Sequence, residues 1–178
     1  MVLGEYRPHR HMLLEDVFLM EIKVRTGVPA DLDGVMRIAL MATEENSLTR
    51  ASPRKLLEEI WPSLHLDHGI MGVIGDPIEA AILLRVAPMW YSEADDPSLM
   101  ERAIFVDPEF RFGKIGRAKM LCDFAKEAAV SLGLPLVIGI LSNERTEAKS
   151  KLYMRQFGEP AGVYFVWNGH TGQKALPA

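Results

Sequence analysis

The chain has 178 residues, 48% of them hydrophobic and 25% charged, a composition typical of one ordinary soluble domain with a substantial core. The formal net charge of −4 argues against non-specific nucleic-acid binding and suits a cationic or amine substrate. No run of about 20 apolar residues is present, so we expect no membrane partner either.

The first part of the chain is predicted to be an extension of the fold. Basic residues and histidines precede the short apolar run Met12–Leu14. Glu15 and Asp16 interrupt that run too early for a secretory signal. We therefore expect a flexible or partner-binding arm over residues 1–20, a single domain over 21–170 and a tail over 171–178.

The domain is predicted to begin with one strand and two helices. Charged and apolar residues alternate over Glu21–Arg25, as in a half-exposed strand. Pro29 suits the first position of a helix, and the acidic residues after it suit its first turn. Ser52 and Pro53 suit the N-cap and first position of a second helix.

Three strands are predicted next. The apolar runs Gly69–Gly75 and Glu79–Arg85 flank the turn pair Asp76-Pro77, which indicates an antiparallel hairpin. Polar, turn-rich residues from Ser92 to Ser98 then separate this hairpin from a strand at Arg102–Val106.

The last part of the domain is predicted to alternate helices and strands. A helix over Gly116–Leu132 ends at Gly133 as C-cap. The apolar run Leu134–Leu141 indicates a strand covered on both faces, and a helix to about Gln156 precedes a final strand at Gly162–Trp167. The order β-α-α-β-β-β-α-β-α-β predicts an α/β (α+β) fold, in which a mixed, mostly antiparallel sheet has helices on both faces.

The loop after Val106 combines glycines with basic residues and leads at once into a helix. The first N–H groups of a helix have no intrahelical partner, and the helix dipole places partial positive charge there. Arg111, Lys114 and Arg117 add formal positive charge. The loop is therefore predicted to bind a phosphate group, although its glycine spacing fits neither a P-loop nor a dinucleotide fingerprint.

This loop resembles the acyl-CoA loop of the GNAT superfamily of N-acetyltransferases, Val-x-Pro-x-x-Arg/Gln-x-x-Gly-x-Gly/Ala. Val106, Pro108, Arg111 and Gly116 match, whereas Lys114 stands at the first family glycine. Lys114 either adds an ionic contact to a phosphate or crowds the cradle. The resemblance implies that the CoA-binding residues are Ile104, Val106, Arg111, Phe112, Gly113, Lys114, Ile115, Gly116, Arg117 and Asn143.

A second stretch resembles the other GNAT signature, Asn-x-x-Ala…Leu-Tyr-x-Lys/Arg-x-Gly-Phe. The core from Leu152 to Arg155 is intact. The spacing from Asn143 to Ala148 is longer than in the family, and the closing pair is reversed as Phe157-Gly158. The two motifs occur in the family order and extend the resemblance over residues 21 to about 168. A narrower resemblance is to phage-encoded members.

The resemblance implies a direct transfer of acetyl from acetyl-CoA to a primary amine, with no metal. The amine attacks the thioester, an oxyanion forms and the CoA thiolate leaves. Backbone groups of Ile104 and Val106, together with Asn143, would contact the pantetheine arm. Tyr153 is implied as the general acid, because a phenol with a pKa near 10 matches a thiolate leaving group. The alternative for Tyr153 is a core aromatic pairing with Phe157.

The general base is assigned to Glu101, on the strand before the loop. Glu93, Asp95 and Asp96 are further carboxylates in the preceding connection. A carboxylate here would draw a proton from an ammonium through water or attract a cationic acceptor, and the alternative for each is a solvated acidic turn. The acceptor is expected to be a small-molecule or peptide amine of open identity. A final strand with an open edge would allow a homodimer.

Other residues are interpreted as structural. Cys122 shares one helical face with small and apolar residues, which is core spacing, and a single cysteine favours a reducing cytoplasm. His65 and His68 lack a third ligand cluster, so a polar turn explains them better than a metal. The tryptophans are expected to pack, although Trp90-Tyr91 could line an acceptor pocket.

Two alternatives to an acetyltransferase stay open at this stage. Lys114 and the altered second motif would also suit a catalytically weak acyl-CoA-binding or regulatory protein of the same fold. A non-enzymatic α/β interaction protein could instead use the basic loop for another phosphate ligand or a partner.

Overall fold

The computed structural model describes residues 22–46, 50–111, 116–140 and 145–163. The strands of this part are β1 Arg25–Thr26, β2 Gly69–Ile74, β3 Ala80–Pro88, β4 Pro97–Val106 and β5 Leu136–Val137. The helices are α1 Leu32–Asn46, α2 Pro53–Leu64, α3 Arg117–Leu132 and α4 Thr146–Phe157. The predicted arm 1–20, the tail 171–178, residues 112–115, Asn143 and all but the first two residues of the predicted final strand lie outside the described residues.

The strands form one sheet in the order β1-β2-β3-β4-β5. The pairs from β1 to β4 are antiparallel, and β4 pairs with β5 in parallel. The hairpin predicted around Asp76-Pro77 is present, with Ile74 opposite Ala80. These features confirm the predicted fold class of a mixed, mostly antiparallel sheet with helices.

Each face of the sheet carries its own core. One cluster packs α1 and α2 on the sheet through residues such as Val35, Ile60 and Phe105. The other packs α3 on the opposite face through residues such as Leu99 and Leu121. Cys122 is a fully buried residue of α3, and burial raises the pKa of its thiol to about 12. The core assignment of Cys122 is thus confirmed.

Local capping signals set several helix ends. The Ser52 hydroxyl accepts a hydrogen bond from the backbone N–H of Lys55 at 3.4 Å, and Pro53 opens α2 as expected. Gly133 ends α3 in the left-handed conformation, with φ of 66°. Pro29 opens a short 3₁₀ turn, and the α-helix itself begins at Leu32.

Three strand boundaries differ from the predictions. Strand β1 covers only Arg25–Thr26, because Ile22 and Val24 pack against the α3-side core instead of joining the ladder. Strand β4 begins at Pro97 and not at Arg102, since β3 pairs with Pro97 and Ser98, which were predicted as a turn, and β5 pairs with Leu99 and Met100. Strand β5 is limited to Leu136–Val137, and both residues are partly exposed. The prediction of a strand buried on both faces was therefore wrong.

A β-bulge interrupts β4 at the point where it leaves β5. Leu83 lies opposite Ala103 and Leu84 lies opposite Glu101, so Arg102 is the extra residue. Leu99 and Ile104 therefore both pack on the α3 side, although they are five positions apart. Glu101, two residues after Leu99, lies on that same side by the ordinary alternation of a strand. Within the described ranges, no helix is long and apolar enough to cross a membrane.

Candidate functional site

Strands β4 and β5 diverge soon after they meet. They pair only at Leu99 with Leu136 and at Met100 with Val137, and β4 then runs on to Val106 without a β5 partner. The Glu101 carboxylate stands at the start of this opening, where it accepts a hydrogen bond from the backbone N–H of Gly139 at 3.2 Å. The edge of β4 beyond Met100 therefore has no strand partner among the described residues.

A cavity of about 360 Å³ lies along the end of β4. It is bounded by that strand, by the start of α3 and by α4, and it brings residues of both sequence motifs together. Its lining residues are Glu45, Ile104, Phe105, Val106, Phe110, Arg111, Gly116, Arg117, Ala118, Lys119, Arg145, Ala148, Lys149, Leu152, Tyr153, Arg155 and Gln156.

The N-terminus of α3 opens into this cavity without a side-chain cap. Its first intrahelical hydrogen bond runs from the Met120 N–H to the Gly116 carbonyl at 3.1 Å. The N–H groups of Arg117, Ala118 and Lys119 therefore have no intrahelical acceptor. Gly116 has φ of 64°, and among the described residues an added Cβ would meet only Lys119 Cβ, at 4.0 Å. These groups form an open anion cradle made of backbone.

Arg111, predicted to contact a phosphate, is engaged by the protein itself. Its Nη2 pairs with the Glu45 carboxylate of α1, and its Nε donates to the Val106 carbonyl at 2.7 Å. The guanidinium also lies 4.7 Å from the centre of the Phe105 ring. Arg111 thus connects the segment after β4 to α1 by an ion pair and donates a hydrogen bond to the Val106 carbonyl.

Arg117 is likewise held within the fold. It is only 7% exposed, and its Nε and Nη2 each lie 2.7 Å from the Glu79 carboxylate. Its guanidinium lies 4.8 Å from the centre of the Phe110 ring. The charges of both loop arginines are therefore balanced by carboxylates, which leaves the cradle mainly to the backbone amides.

Basic residues at the start of α4 line the cavity and were not singled out by the sequence analysis. These are Arg145 and Lys149, and Arg155 of the second motif lines the cavity as well. Burial lowers the pKa of Lys149, whose Nζ lies 3.5 Å from the Asn46 side-chain oxygen. The spacing of Arg145 and Lys149, one turn apart on a helix, was the available signal.

Tyr153 packs in the core and also lines the cavity. Its ring packs edge-on against Phe157, with ring centres 5.5 Å apart. Its hydroxyl is buried and has no hydrogen-bond partner among the described residues. Burial, and then the nearby charges of Glu101 and Cys122, raise the pKa of Tyr153 above its usual value, so the hydroxyl stays protonated.

Glu101 differs from the other acidic residues near it in sequence. Burial raises its pKa to about 7, while the Gly139 N–H and the positive charge of Lys149 act in the opposite direction. Glu93, Asp95 and Asp96 are exposed in the turn before β4, as expected of a solvated acidic turn. The structure therefore brings only Glu101 of these four carboxylates to the opening beside β5.

Other residues considered from the sequence lie away from the cavity. Trp90 and Tyr91 are 92% and 69% exposed and meet edge to face in a turn, so the expected packing of Trp90 was wrong, and neither residue lines this cavity. The Nδ1 atom of His65 lies 2.9 Å from the Trp61 carbonyl oxygen. No group of three metal-binding side chains, His68 included, occurs in the part of the chain that the structure describes.

Comparison with solved structures identifies the fold. The aminoglycoside acetyltransferase AAC(6')-Iy, solved with the bisubstrate analogue CoA-S-monomethyl-acetylneamine, is 14% identical with a TM-score of 0.65, over 83% of this chain and 97% of that one. A GCN5-related N-acetyltransferase from Ralstonia eutropha JMP134 is 21% identical with a TM-score of 0.60, over 82% and 97%. A possible acetyltransferase from Clostridium difficile 630 is 18% identical with a TM-score of 0.61, over 82% and 96%.

The chain therefore has the fold of the GCN5-related N-acetyltransferases. No family model matches the sequence, and no curated protein matches it either. The solved neighbours give no support to the narrower resemblance to phage-encoded members.

Proposed function

We propose that this protein is an N-acetyltransferase that transfers acetyl from acetyl-CoA directly to a primary amine. One observation carries the proposal: a single cavity is lined both by the backbone anion cradle at the start of α3 and by Tyr153, whose buried hydroxyl has no hydrogen-bond partner among the described residues. The similar solved structures support the proposal, since one of them, AAC(6')-Iy, contains a bisubstrate analogue that joins CoA to an acceptor.

Acetyl-CoA fits the cavity as a substrate. The pyrophosphate would accept hydrogen bonds from the free amides of Arg117, Ala118 and Lys119, with the basic residues of α4 adding charge. The pantetheine arm would follow the open edge of β4 at Ile104 and Val106. The roles of residues 112–115 and of Asn143 stay predictions from the sequence, as do the cytoplasmic location and the homodimer.

The transfer needs one base and one acid. Glu101 would take a proton from the acceptor ammonium, directly or through water, so that the neutral nitrogen attacks the thioester carbonyl. The C–N bond forms, the tetrahedral oxyanion collapses and the C–S bond breaks. Tyr153 would give its proton to the departing sulfur, and the amide nitrogen releases one proton to water. The products are the N-acetylated amine and the CoA thiol.

A thermal melt tests the donor site. Acetyl-CoA at 100 times its dissociation constant should stabilise the fold by about 2.7 kcal/mol, which raises the Tm by about 5–10 °C for a chain of this size. ATP and NAD at the same concentration serve as controls, because both carry phosphates but lack pantetheine. A larger shift with ATP, or none with acetyl-CoA, would contradict the proposal.

Binding of acyl-CoA without transfer is the second candidate. It is favoured by the ion pairs of Arg111 and Arg117, which withdraw two charges from the phosphate cradle. The release of CoA thiol across a panel of amines separates the two candidates. An acetyl-CoA-induced shift of the Tm with no thiol released from any amine would favour the second.

Replacement of Gly116 with valine is expected to weaken CoA binding about tenfold or more. A branched side chain would enter the space that the pyrophosphate needs and would strain a residue with φ of 64°. Gly133→Val is the matched control, because Gly133 has φ of 66° at the other end of α3 and faces open space. Calorimetric titration with CoA should separate the two variants, and equal affinities would show that the cradle is misassigned.

A further inference from the structure

A second cavity, of about 350 Å³, lies on the other face of the sheet. It is enclosed by α1, α2 and the sheet, and its volume lies within the usual range for small-molecule sites. Its wall is largely apolar, with Glu59 and Arg102 as its charged members. The lining residues are Val35, Ile38, Ala39, Ala42, Thr43, Leu56, Glu59, Ile60, Met71, Ala81, Leu83, Arg102, Ala103 and Phe105.

The two cavities approach each other across β4. Phe105 contributes to the lining of both. Among the described residues, the edge of β4 beyond Met100 has no strand partner that would separate the two faces. A molecule seated in the second cavity could therefore extend its end to the edge of β4, where the thioester would lie.

The Glu59 carboxylate of the second cavity lies near two arginines, Arg102 of the lining and Arg85 outside it. The Glu59 carboxylate lies 3.7 Å from Arg102 Nε and 4.0 Å from Arg85 Nε. Both distances exceed that of a hydrogen bond, and Arg102 makes no other polar contact in the described parts of the chain. Two cations thus share one anion, and the Arg102 guanidinium keeps its donors available. A carboxylate is the group that a planar guanidinium binds best.

We infer that the second cavity binds the acetyl acceptor and that this acceptor is a hydrophobic amino acid. The inference rests on the proposed acetyl transfer. The apolar side chain would fill the cavity, the carboxylate would bind Arg102, and the α-amine would reach the open edge of β4. A polycationic acceptor would instead meet an apolar wall and the like charges of Arg102 and Arg85.

Amino-acid binding is measured first without turnover, by calorimetric titration of the protein saturated with CoA. Leucine and phenylalanine should bind about tenfold more tightly than alanine, which leaves the cavity empty, and than isopentylamine or phenethylamine, which lack the carboxylate. Kanamycin should not bind. Tighter binding of kanamycin, or equal binding of phenethylamine and phenylalanine, would overturn the inference.

Two pairs of variants locate the binding site. Ala42→Phe fills the cavity from α1 and should abolish leucine binding, whereas Leu40→Phe, at a position 36% exposed outside the cavity, should leave it unchanged. Arg102→Gln should weaken leucine binding about tenfold, and Arg102→Lys should restore part of it. Equal leucine affinity in Ala42→Phe and Leu40→Phe would place the acceptor elsewhere.

The acetyl-transfer assay distinguishes this inference from the proposed function. Formation of N-acetyl-leucine and N-acetyl-phenylalanine supports both. Turnover of other amines without these two products overturns the acceptor assignment and leaves the acetyltransferase standing. CoA affinity, measured in every variant, should stay within about twofold of the unmodified protein, because none of the substituted side chains lines the first cavity.

Discussion

Replacing Tyr153 with phenylalanine is expected to slow acetyl transfer about 10²-fold or more while CoA affinity stays unchanged. The substitution removes one oxygen and preserves the ring, which packs against Phe157 with centres 5.5 Å apart. Without the hydroxyl, the thiolate would have to leave unprotonated or take its proton from water. Steady-state turnover and CoA titration of the same preparation measure the two effects separately.

The stability of Tyr153→Phe is expected not to fall, in contrast to its turnover. The hydroxyl is buried without a hydrogen-bond partner among the described residues, and a buried unsatisfied polar group costs about 1–3 kcal/mol. The variant should therefore be at least as stable as the original protein in a urea titration. A more stable but slower enzyme would indicate that the hydroxyl is retained for chemistry.

Phe157→Leu is the matched control for this pair of measurements. It breaks the aromatic pair and keeps the hydroxyl, so stability should fall by about 1 kcal/mol or more while most of the turnover persists. Unchanged turnover in Tyr153→Phe would assign Tyr153 to core packing alone.

Replacing Glu101 with glutamine is expected to lower kcat/KM about 10²-fold or more at pH 8 and to flatten its pH dependence. Because the pKa of Glu101 is about 7, the basic carboxylate accumulates as the pH rises through neutrality. The unmodified enzyme should thus gain activity over that range. Glu93→Gln, in the exposed turn before β4, is the control and should keep the original profile.

The same carboxylate also couples stability to pH. Folding raises the pKa of Glu101 from 4.5 to about 7, so the folded state binds the proton more tightly. Its contribution is therefore fully present below pH 4.5 and is lost as the pH rises through 7, at a cost of about 3 kcal/mol. Urea titrations at pH 5 and pH 8 should show this loss in the original protein and not in Glu101→Gln. An equal loss in both would place the titrating group elsewhere.

Local chemistry made much of the fold predictable. The Ser52 cap, the C-terminal Gly133 and the turn at Asp76-Pro77 act within a few residues of their own positions, so the sequence displays them directly. The order of helices and strands could be predicted because these caps and turns mark where the elements begin and end. The Val106-to-helix loop was recognised from its glycines and basic residues, and the Tyr153 motif from its resemblance to a family signature; residues of both line one cavity.

Long-range partners decided what the sequence could not show. Arg111 pairs with Glu45, 66 positions earlier, and Arg117 hydrogen-bonds Glu79, 38 positions earlier. A list of basic residues in a loop cannot reveal which of them the fold neutralises. For the same reason Pro97 and Ser98 were taken for the end of a turn, because their place in β4 depends on pairing with Pro88 and Ala87 of β3.

The extra residue in β4 gives the strand one position where a deletion should do little harm. Loss of the single codon for Arg102 would remove the bulge, because Glu101 and Ala103 already lie opposite the consecutive residues Leu84 and Leu83. The side chains from Pro97 to Glu101 would keep their faces, with Leu99 in its core and the Glu101 carboxylate beside Gly139. In a library of one-residue deletions, β4 should therefore tolerate loss best at Arg102, since loss of any other residue of the strand removes a regular pair with β3.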